Sequence, residues 1–163
     1  MDAPGDGRAP ATAGGRAGRR GGPMIAVLLV EDDPGDVMMT REALEETGVT
    51  SRLNVVGDGA EALDFLYRRE PYTDAQPPDL ILLDLNLPKM NGRDVLAQVK
   101  EDPDLRHIPV VVLTTSEAEE DVLRSYDLHA NAYVTKPVDF ERFVAVVRHI
   151  DDFFVSIVRL PRR

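Results

Sequence analysis

Three carboxylates follow two apolar runs of this sequence. Glu31 and Asp32 come directly after the run IAVLLV (25–30), and Asp84 is the last residue of the run DLILLD (79–84). In a parallel sheet the carboxyl ends of the strands meet at one crevice, so we expect these side chains to converge there. Carboxylates at close range repel one another unless a cation or a proton intervenes. A hard cation with oxygen ligands, Mg²⁺ above all, is the natural partner.

Two further strand ends add a hydroxyl and an ammonium group. Thr114 lies near the end of the run IPVVVLTT, and Lys136 follows the run NAYVT. Beside a metal they would form a socket for an anion. Asp84 could then act as a nucleophile, because carboxylates form acyl phosphates. Mg²⁺ and Lys136 would neutralise the charge on a transferring phosphoryl group.

The elements that must position these groups alternate along the chain. The first, third and fourth apolar runs are continuous and rich in Val, Ile and Leu, which is typical of strands that are covered on both faces. Amphipathic segments separate them. The order β-α repeated five times predicts an α/β fold of three layers, without an internal repeat or a second domain. The runs are IAVLLV (25–30), RLNVV (52–56), DLILLD (79–84), IPVVVLTT (108–115) and NAYVT (131–135).

Capping residues mark where the helices begin and end. Asp33 with Pro34 predicts an N-cap and the first helical residue, and Gly48 predicts the stop of that helix. Asp58 with Glu61 has the spacing of a capping box, so a second helix begins there. The same reasoning places two further helix starts at Ser116 (with Glu119, toward His129) and at Asp139.

The last helix carries an apolar stripe. Its members recur at helical spacing, which predicts that most of the stripe packs on the core. Further apolar residues, namely Val146, Phe153 and Val155, lie on its other face, and a second copy of the protein is the simplest partner for them. The stripe consists of Phe140, Phe143, Val144, Val147, Ile150, Phe154, Ile157 and Val158.

Composition narrows the possible functions. The chain of 163 residues has no Cys and a net charge of −10, and the charge becomes −12 without the first 23 residues, which hold four Arg and two Asp. Such an acidic domain would be repelled by nucleic acids and anionic membranes. No apolar stretch is long enough to span a membrane, and no secretory signal is visible, so we expect a cytoplasmic protein. Residues 1–23, rich in Gly and Arg, are expected to form a disordered tail.

These motifs resemble the receiver domain of two-component response regulators. The matching strings are VLLVEDD (27–33), DLILLDLNLPKMNG (79–92), VVLTTS (111–116) and AYVTKP (132–137). The resemblance covers residues 24–158, with residues 159–163 as a C-terminal tail. It implies a doubly wound, flavodoxin-like (βα)5 fold with a five-stranded parallel sheet in the order 2-1-3-4-5.

The resemblance also implies roles at the metal site. Asp84 would be the phosphoacceptor. Asp32 and Asp84 would bind Mg²⁺ directly, together with the backbone carbonyl of Asn86, and Glu31 would act through water. Many members of the family have Asp where this chain has Glu31, and a longer side chain is tolerable at a position that acts through water.

The remaining implied roles concern the other strand ends. Lys136 would pair with Asp84 and then with the phosphoryl oxygens, and its bond to Pro137 would be cis. Thr114 would move toward the phosphoryl group, and Tyr133 would follow it inward. The chain would thus be a signalling switch and not an enzyme that acts on other substrates, because it would catalyse only its own phosphotransfer and dephosphorylation.

A narrower resemblance points to partners. The strings EDDPGD, LILLDLNLP, HIPVVVLTTS, SYDLHANAYVTKPVD and IVRLP are similar to those of the stand-alone regulators that partner bacterial and cyanobacterial phytochromes. A sensor histidine kinase is therefore the expected phosphodonor. No DNA-binding output module follows the receiver motifs, so we expect output through protein contacts, with a homodimer formed by the last helix.

Three alternative functions involve the same residues. A phosphatase of the haloacid dehalogenase type needs a second acid two residues after the nucleophile, where this chain has Asn86. A flavin-binding domain of flavodoxin topology needs a loop that cradles phosphate after the first strand, where this chain has the acidic EDDPGD. A receiver fold that binds partners without phosphorylation remains open.

Overall fold

The computed structural model describes residues 24–48, 50–114, 130, 132–135 and 140–153. Five parallel strands form one sheet in the order β2-β1-β3-β4-β5, which confirms the predicted topology. The strands lie within two residues of the apolar runs. They are β1 Ile25–Val30, β2 Ser51–Val56, β3 Leu80–Asp84, β4 Val110–Thr114 and β5 Ala132–Thr135.

Within the described residues, four helices cover the two faces of this sheet. We number them α1 Pro34–Glu46, α2 Gly59–Leu66, α3 Gly92–Glu101 and α4 Phe140–Phe153. One apolar cluster lies under α2 and α3, and a second lies under α1 and α4. Strands β1 and β3 are buried along their whole length, as expected for strands that are covered on both sides. The predicted three-layer arrangement is therefore confirmed, while the helix predicted from Ser116 to His129 lies outside the described residues.

The caps predicted for the first two helices are present. The carboxylate of Asp33 accepts a hydrogen bond from the backbone N–H of Gly35 at 2.9 Å, and Pro34 is the first helical residue. Gly48 follows the end of α1 with a φ of 74°, a conformation that favours glycine. At α2 the Glu61 N–H donates to Asp58 at 2.8 Å, and the Glu61 carboxylate accepts from Gly57 N–H at 3.0 Å.

A long-range contact closes the other end of α1. Backbone N–H groups that follow the helix cap two carbonyl oxygens of its last turn, and Thr47 O, just beyond the helix, takes its donor from another helix. Arg148 on α4 supplies it, because its Nε donates to the carbonyl oxygen of Thr47 at 2.9 Å. The two helices on this face are thereby joined by a charged hydrogen bond as well as by apolar packing.

The buried face of α4 differs slightly from the predicted stripe. Phe143 and Val147 are fully buried. Val146 packs beside them, although the sequence predicts it on the other face of the helix. Val144 instead lines a surface cavity of about 360 Å³ with Glu46 and Arg148. Helical spacing alone does not fix which residues at the border of an apolar stripe become buried. The part of the stripe beyond Phe153 lies outside the described residues.

The connection between α2 and β3 is long, at 13 residues, and it is tied back onto the domain. The hydroxyl of Tyr72 donates to the Glu61 carboxylate, and its ring packs on Phe65 with 5.3 Å between ring centroids. The hydroxyl of Tyr67, the residue after α2, donates to Asp102 at 2.6 Å. Within the described part of the chain, no helix combines the length and apolar character that a membrane span requires.

Candidate metal and phosphoacceptor site

Strand ends bring the three predicted carboxylates together. Glu31 and Asp32 follow β1, and Asp84 is the last residue of the neighbouring strand β3. Carboxylate oxygens of the three residues all lie within 4.8 Å of one another. The convergence expected from the sequence is thus confirmed.

Backbone hydrogen bonds fix this cluster in place. The N–H of Glu31 donates to Val56 O at 2.9 Å, which extends the pairing of β1 with β2 by one residue. The Glu31 carboxylate accepts from Asp33 N–H at 3.2 Å, and Asp84 Oδ1 accepts from Asn86 N–H at 3.2 Å. Two of the acids are therefore held by the backbone of the loops that follow their own strands.

Burial strengthens the repulsion between the carboxylates of the cluster. Glu31 and Asp84 are each only 2% exposed, whereas Asp32 is open to solvent. Negative charges this close, with two of them withdrawn from water, strongly repel one another. A divalent cation would relieve that repulsion, and three carboxylates are a suitable donor set for Mg²⁺ or Mn²⁺. The residues present therefore fit the metal that the sequence predicts.

The structure places the other predicted residues as follows. Asn86 lies two residues after Asp84 and is exposed. Asp84 pairs with Leu113, so Thr114 ends β4 one residue further along the adjacent strand. Tyr133 on β5 is buried, at 6% exposed, and belongs to the cluster under α2 and α3. Lys136 and Pro137, including the predicted cis bond, lie outside the described residues.

Two glycines beside the site were not singled out from the sequence. A Cβ on Gly92 would lie 2.7 Å from Leu85 Cα, and a Cβ on Gly59 would lie 2.9 Å from the carbonyl carbon of Met90. Both glycines therefore permit close backbone contact with residues 85–91, the loop that follows Asp84. The dipeptides Asp-Gly and Asn-Gly indicate turns in the sequence, but they do not predict which distant residue each glycine contacts.

The comparisons with known proteins agree with this geometry. Residues 27–148 match the family model of the response regulator receiver domain. The chain is 45% identical, over 139 residues, to the response regulator Rcp1 of Synechocystis sp., and this alignment covers 85% of the chain and 95% of Rcp1. The comparison therefore extends over nearly the whole of that relative.

Solved structures give the same result. A bacteriophytochrome response regulator, RtBRR, is 48% identical with a TM-score of 0.74, and 78% of each chain is covered. The phosphorylated cyanobacterial phytochrome response regulator RcpA is 46% identical with a TM-score of 0.68, covering 82% of this chain and 96% of RcpA. The Mn²⁺-bound form of Rcp1 is 44% identical with a TM-score of 0.67, with the same two coverages.

The matched span includes the acid cluster, the described sheet apart from the first two residues of β1, and most of the helical layers. Receiver domains take phosphoryl groups from histidine kinases and bind divalent metals at an acidic pocket of this kind. The chain belongs to the response regulator receiver domain family of two-component signalling, and it is related to the response regulators of phytochromes.

Proposed function

We propose that this receiver domain accepts a phosphoryl group on Asp84, with Mg²⁺ bound at the acid cluster. The observation that carries the proposal is the cluster itself, in which an almost fully buried Asp84 faces two further carboxylates within 4.8 Å. Three carboxylates at neighbouring strand ends are the kind of oxygen donor set that Mg²⁺ binds. The relatives support the proposal, because one is described as phosphorylated and another as Mn²⁺-bound.

The proposed reaction is a direct phosphoryl transfer. A carboxylate oxygen of Asp84 attacks the phosphorus of a phosphohistidine, an O–P bond forms and the P–N bond breaks. The imidazole leaves with the bonding electron pair and takes a proton from water, while Asp84 carries an acyl phosphate. When bound, Mg²⁺ neutralises charge on the transferring group.

The other residues of the proposed site have separate roles. Asp32 and the backbone carbonyl of Asn86 would complete the direct metal ligands with Asp84, and Glu31 would act through water. Lys136 would supply a positive charge to the phosphoryl oxygens. Thr114 would donate its hydroxyl to the phosphorylated form, with Tyr133 as the residue that responds to it.

The proposed phosphodonor is a sensor histidine kinase of the phytochrome type. The similarity to RtBRR and RcpA supports this choice, since both are described as phytochrome response regulators. A homodimer that uses the last helix remains a prediction from the sequence. Sedimentation velocity before and after phosphorylation tests it, and a monomer in both states would contradict it.

Intact-mass spectrometry tests the phosphoacceptor. We expect the wild type to gain the mass of one phosphoryl group after incubation with Mg²⁺ and acetyl phosphate, and Asp84→Asn to gain none. Asp94→Asn is the matched control, because Asp94 is exposed on the first turn of α3 and should leave the gain unchanged. Phosphorylation of Asp84→Asn would contradict the assignment. No gain on the wild type, with Mg²⁺ bound, would favour a receiver that signals without phosphorylation.

A further inference from the structure

The loop of residues 85–91, here called the β3–α3 loop, determines where the proposed site residues lie. It begins directly after Asp84 and contains Asn86, whose carbonyl group is a proposed metal ligand. At its far end, the N–H of Gly92 donates to Leu85 O at 3.0 Å, and the lack of a side chain at Gly92 lets α3 begin against the backbone of Leu85. The two ends of the loop are thus tied together.

A second turn supports this loop from outside the site. Residues 57–61, here called the β2–α2 turn, are made rigid by the capping box of Asp58 and Glu61. The Glu61 carboxylate also accepts the hydroxyl of Tyr72, so the turn is fixed to the α2–β3 connection as well. Three separate hydrogen bonds therefore restrain a turn of five residues.

The two segments meet at one close backbone contact. A Cβ on Gly59 would lie 2.9 Å from the Met90 carbonyl carbon and closer still to its oxygen, a separation that real Cβ atoms essentially never show. Next to this contact, Lys89 Nζ lies 3.6 Å from the Asp58 carboxylate. Lys89 adopts a φ of 64°, so the loop is turned sharply where it meets the β2–α2 turn.

We propose that Gly59 and Asp58 are positioning residues for the phosphoacceptor site. Neither belongs to the acid cluster, and both act by holding Met90 and Lys89, which fixes the path of the chain from Asp84 through Asn86. Because the other end of the loop is closed by Gly92, a displacement at Met90 is passed to Leu85 and Asn86. The proposal rests on the proposed function, since it concerns the same metal and phosphoacceptor.

A pair of glycine variants in one turn tests the proposal. In Gly59→Ala the new methyl group forces Met90 to move, whereas in Gly57→Ala the nearest heavy atom is Glu61 Oε1 at 3.9 Å, an ordinary contact. Misplacing groups that orient metal ligands typically weakens metal binding by about 10-fold to 100-fold. Isothermal titration calorimetry with Mn²⁺ measures this effect. We expect the Kd for Mn²⁺ to rise by about 10-fold in Gly59→Ala and to stay within about twofold of the wild type in Gly57→Ala.

Amide hydrogen exchange without metal gives a readout that does not depend on metal binding. We expect faster exchange at residues 85–91 in Gly59→Ala and unchanged exchange there in Gly57→Ala. If Gly59→Ala unfolds cooperatively, binds Mn²⁺ like the wild type and keeps the exchange of the loop, the proposal is overturned, whatever its melting temperature.

Asp58→Asn tests the positioning role if Gly59→Ala does not fold. Asn retains the oxygen that caps α2 and removes the charge that faces Lys89. We expect a Kd for Mn²⁺ that is about twofold higher, because the Lys89 side chain is 73% exposed and solvent screens the pair, and we expect faster exchange at Lys89 and Met90. An unchanged Kd together with unchanged exchange would overturn the proposal.

The same variants separate this inference from the proposed function. If the wild type takes no phosphoryl group from acetyl phosphate while Gly59→Ala weakens Mn²⁺ binding, the proposed phosphotransfer fails and the positioning role stands. If the wild type is phosphorylated and Gly59→Ala binds Mn²⁺ normally, only the positioning role fails.

Discussion

A buried aspartate lies at each end of strand β3, Asp79 just before it and Asp84 as its last residue, and the two differ in their neighbours. Asp79, which precedes the strand, is 8% exposed, and its Oδ2 accepts from Ala26 N–H at 2.8 Å. Its own N–H donates to Ala26 O at 2.7 Å. Asp84, at the other end, is 2% exposed and faces the carboxylates of Glu31 and Asp32.

The difference separates an acid that joins two strands from an acid of the proposed metal site. The charge of Asp79 is met by a short backbone hydrogen bond that joins β1 to β3, so its burial contributes to the sheet. Asp84 also accepts a backbone hydrogen bond, from Asn86 N–H at 3.2 Å, but two further carboxylates lie within 4.8 Å of it, and a bound cation would relieve that repulsion. Burial alone therefore does not distinguish the two carboxylates, whereas the further carboxylates beside Asp84 do.

The largest expected effect is a change of stability in opposite directions at these two positions. Asp79→Ala leaves the Ala26 N–H buried without this acceptor, so we expect the free energy of unfolding to fall by about 1–3 kcal/mol. Asp84→Asn removes one of three repelling charges, and in metal-free buffer we expect the free energy of unfolding to rise by about 1 kcal/mol. Urea denaturation in EDTA measures both.

Phosphorylation of the same variants sharpens the contrast. Asp79→Ala should still accept a phosphoryl group at a temperature where it is folded, whereas Asp84→Asn should not. A loss of stability in Asp84→Asn, or an unchanged stability in Asp79→Ala, would break the distinction between the two acids.

A smaller effect is expected at the helix contact on the α1–α4 face. Arg148→Ala removes the donor to Thr47 O at the end of α1, so we expect the free energy of unfolding to fall by about 1 kcal/mol. Arg93→Ala on α3 is the control, because Arg93 is exposed there and its loss should change stability by less than about 0.5 kcal/mol. Equal effects of the two substitutions would show that the contact with α1 adds nothing.

The smallest expected effect concerns the ionisation of the Tyr72 hydroxyl. The hydrogen bond to Glu61, followed by burial and the negative charge of Glu61, raises the pKa of Tyr72 from 10.0 to about 12. A pKa that is raised in the folded state contributes stability that is present below about pH 10 and is lost as the pH rises toward 12. Ultraviolet difference absorbance should show one tyrosine that ionises near 12 in the wild type and is missing in Tyr72→Phe.

Ionisation of Tyr72 near pH 10 would contradict its bond to Glu61. Tyr67→Phe is the companion variant, because the pKa of Tyr67 is also raised, chiefly by its hydrogen bond to Asp102. It should leave the ionisation near 12 in place.

Much of the site could be predicted from the sequence because its residues follow local patterns. Continuous apolar runs predicted β1, β3 and β4, and the rule that parallel strands share a carboxyl edge brought Glu31, Asp32 and Asp84 together. The N-caps Asp33 and Asp58 were readable because a cap and its donor lie within three residues of each other. The roles of Thr114, Tyr133, Asn86 and Lys136 were carried over from the family resemblance and stay predictions.

The interactions that could not be predicted join residues far apart in sequence. Asp79 with Ala26, Arg148 with Thr47, and Gly59 with Met90 are separated by 31 to 101 positions. Which atoms meet across such distances depends on the packing of helices on the sheet, and hydrophobic periodicity does not give that packing to within one residue. The same limit applies to α4, where Val146 rather than Val144 packs on the apolar cluster beneath the helix.

The long α2–β3 connection has a consequence for protein engineering. Strand β2 lies at the edge of the sheet, and its exposed Arg52 donates to Gln76 of that connection at 2.9 Å. Open edge strands recruit strands from other molecules, and charged side chains and covering loops oppose this. Shortening the connection to make a smaller receiver would remove Gln76 and leave the edge less guarded, so the trimmed protein should be more prone to aggregate in storage.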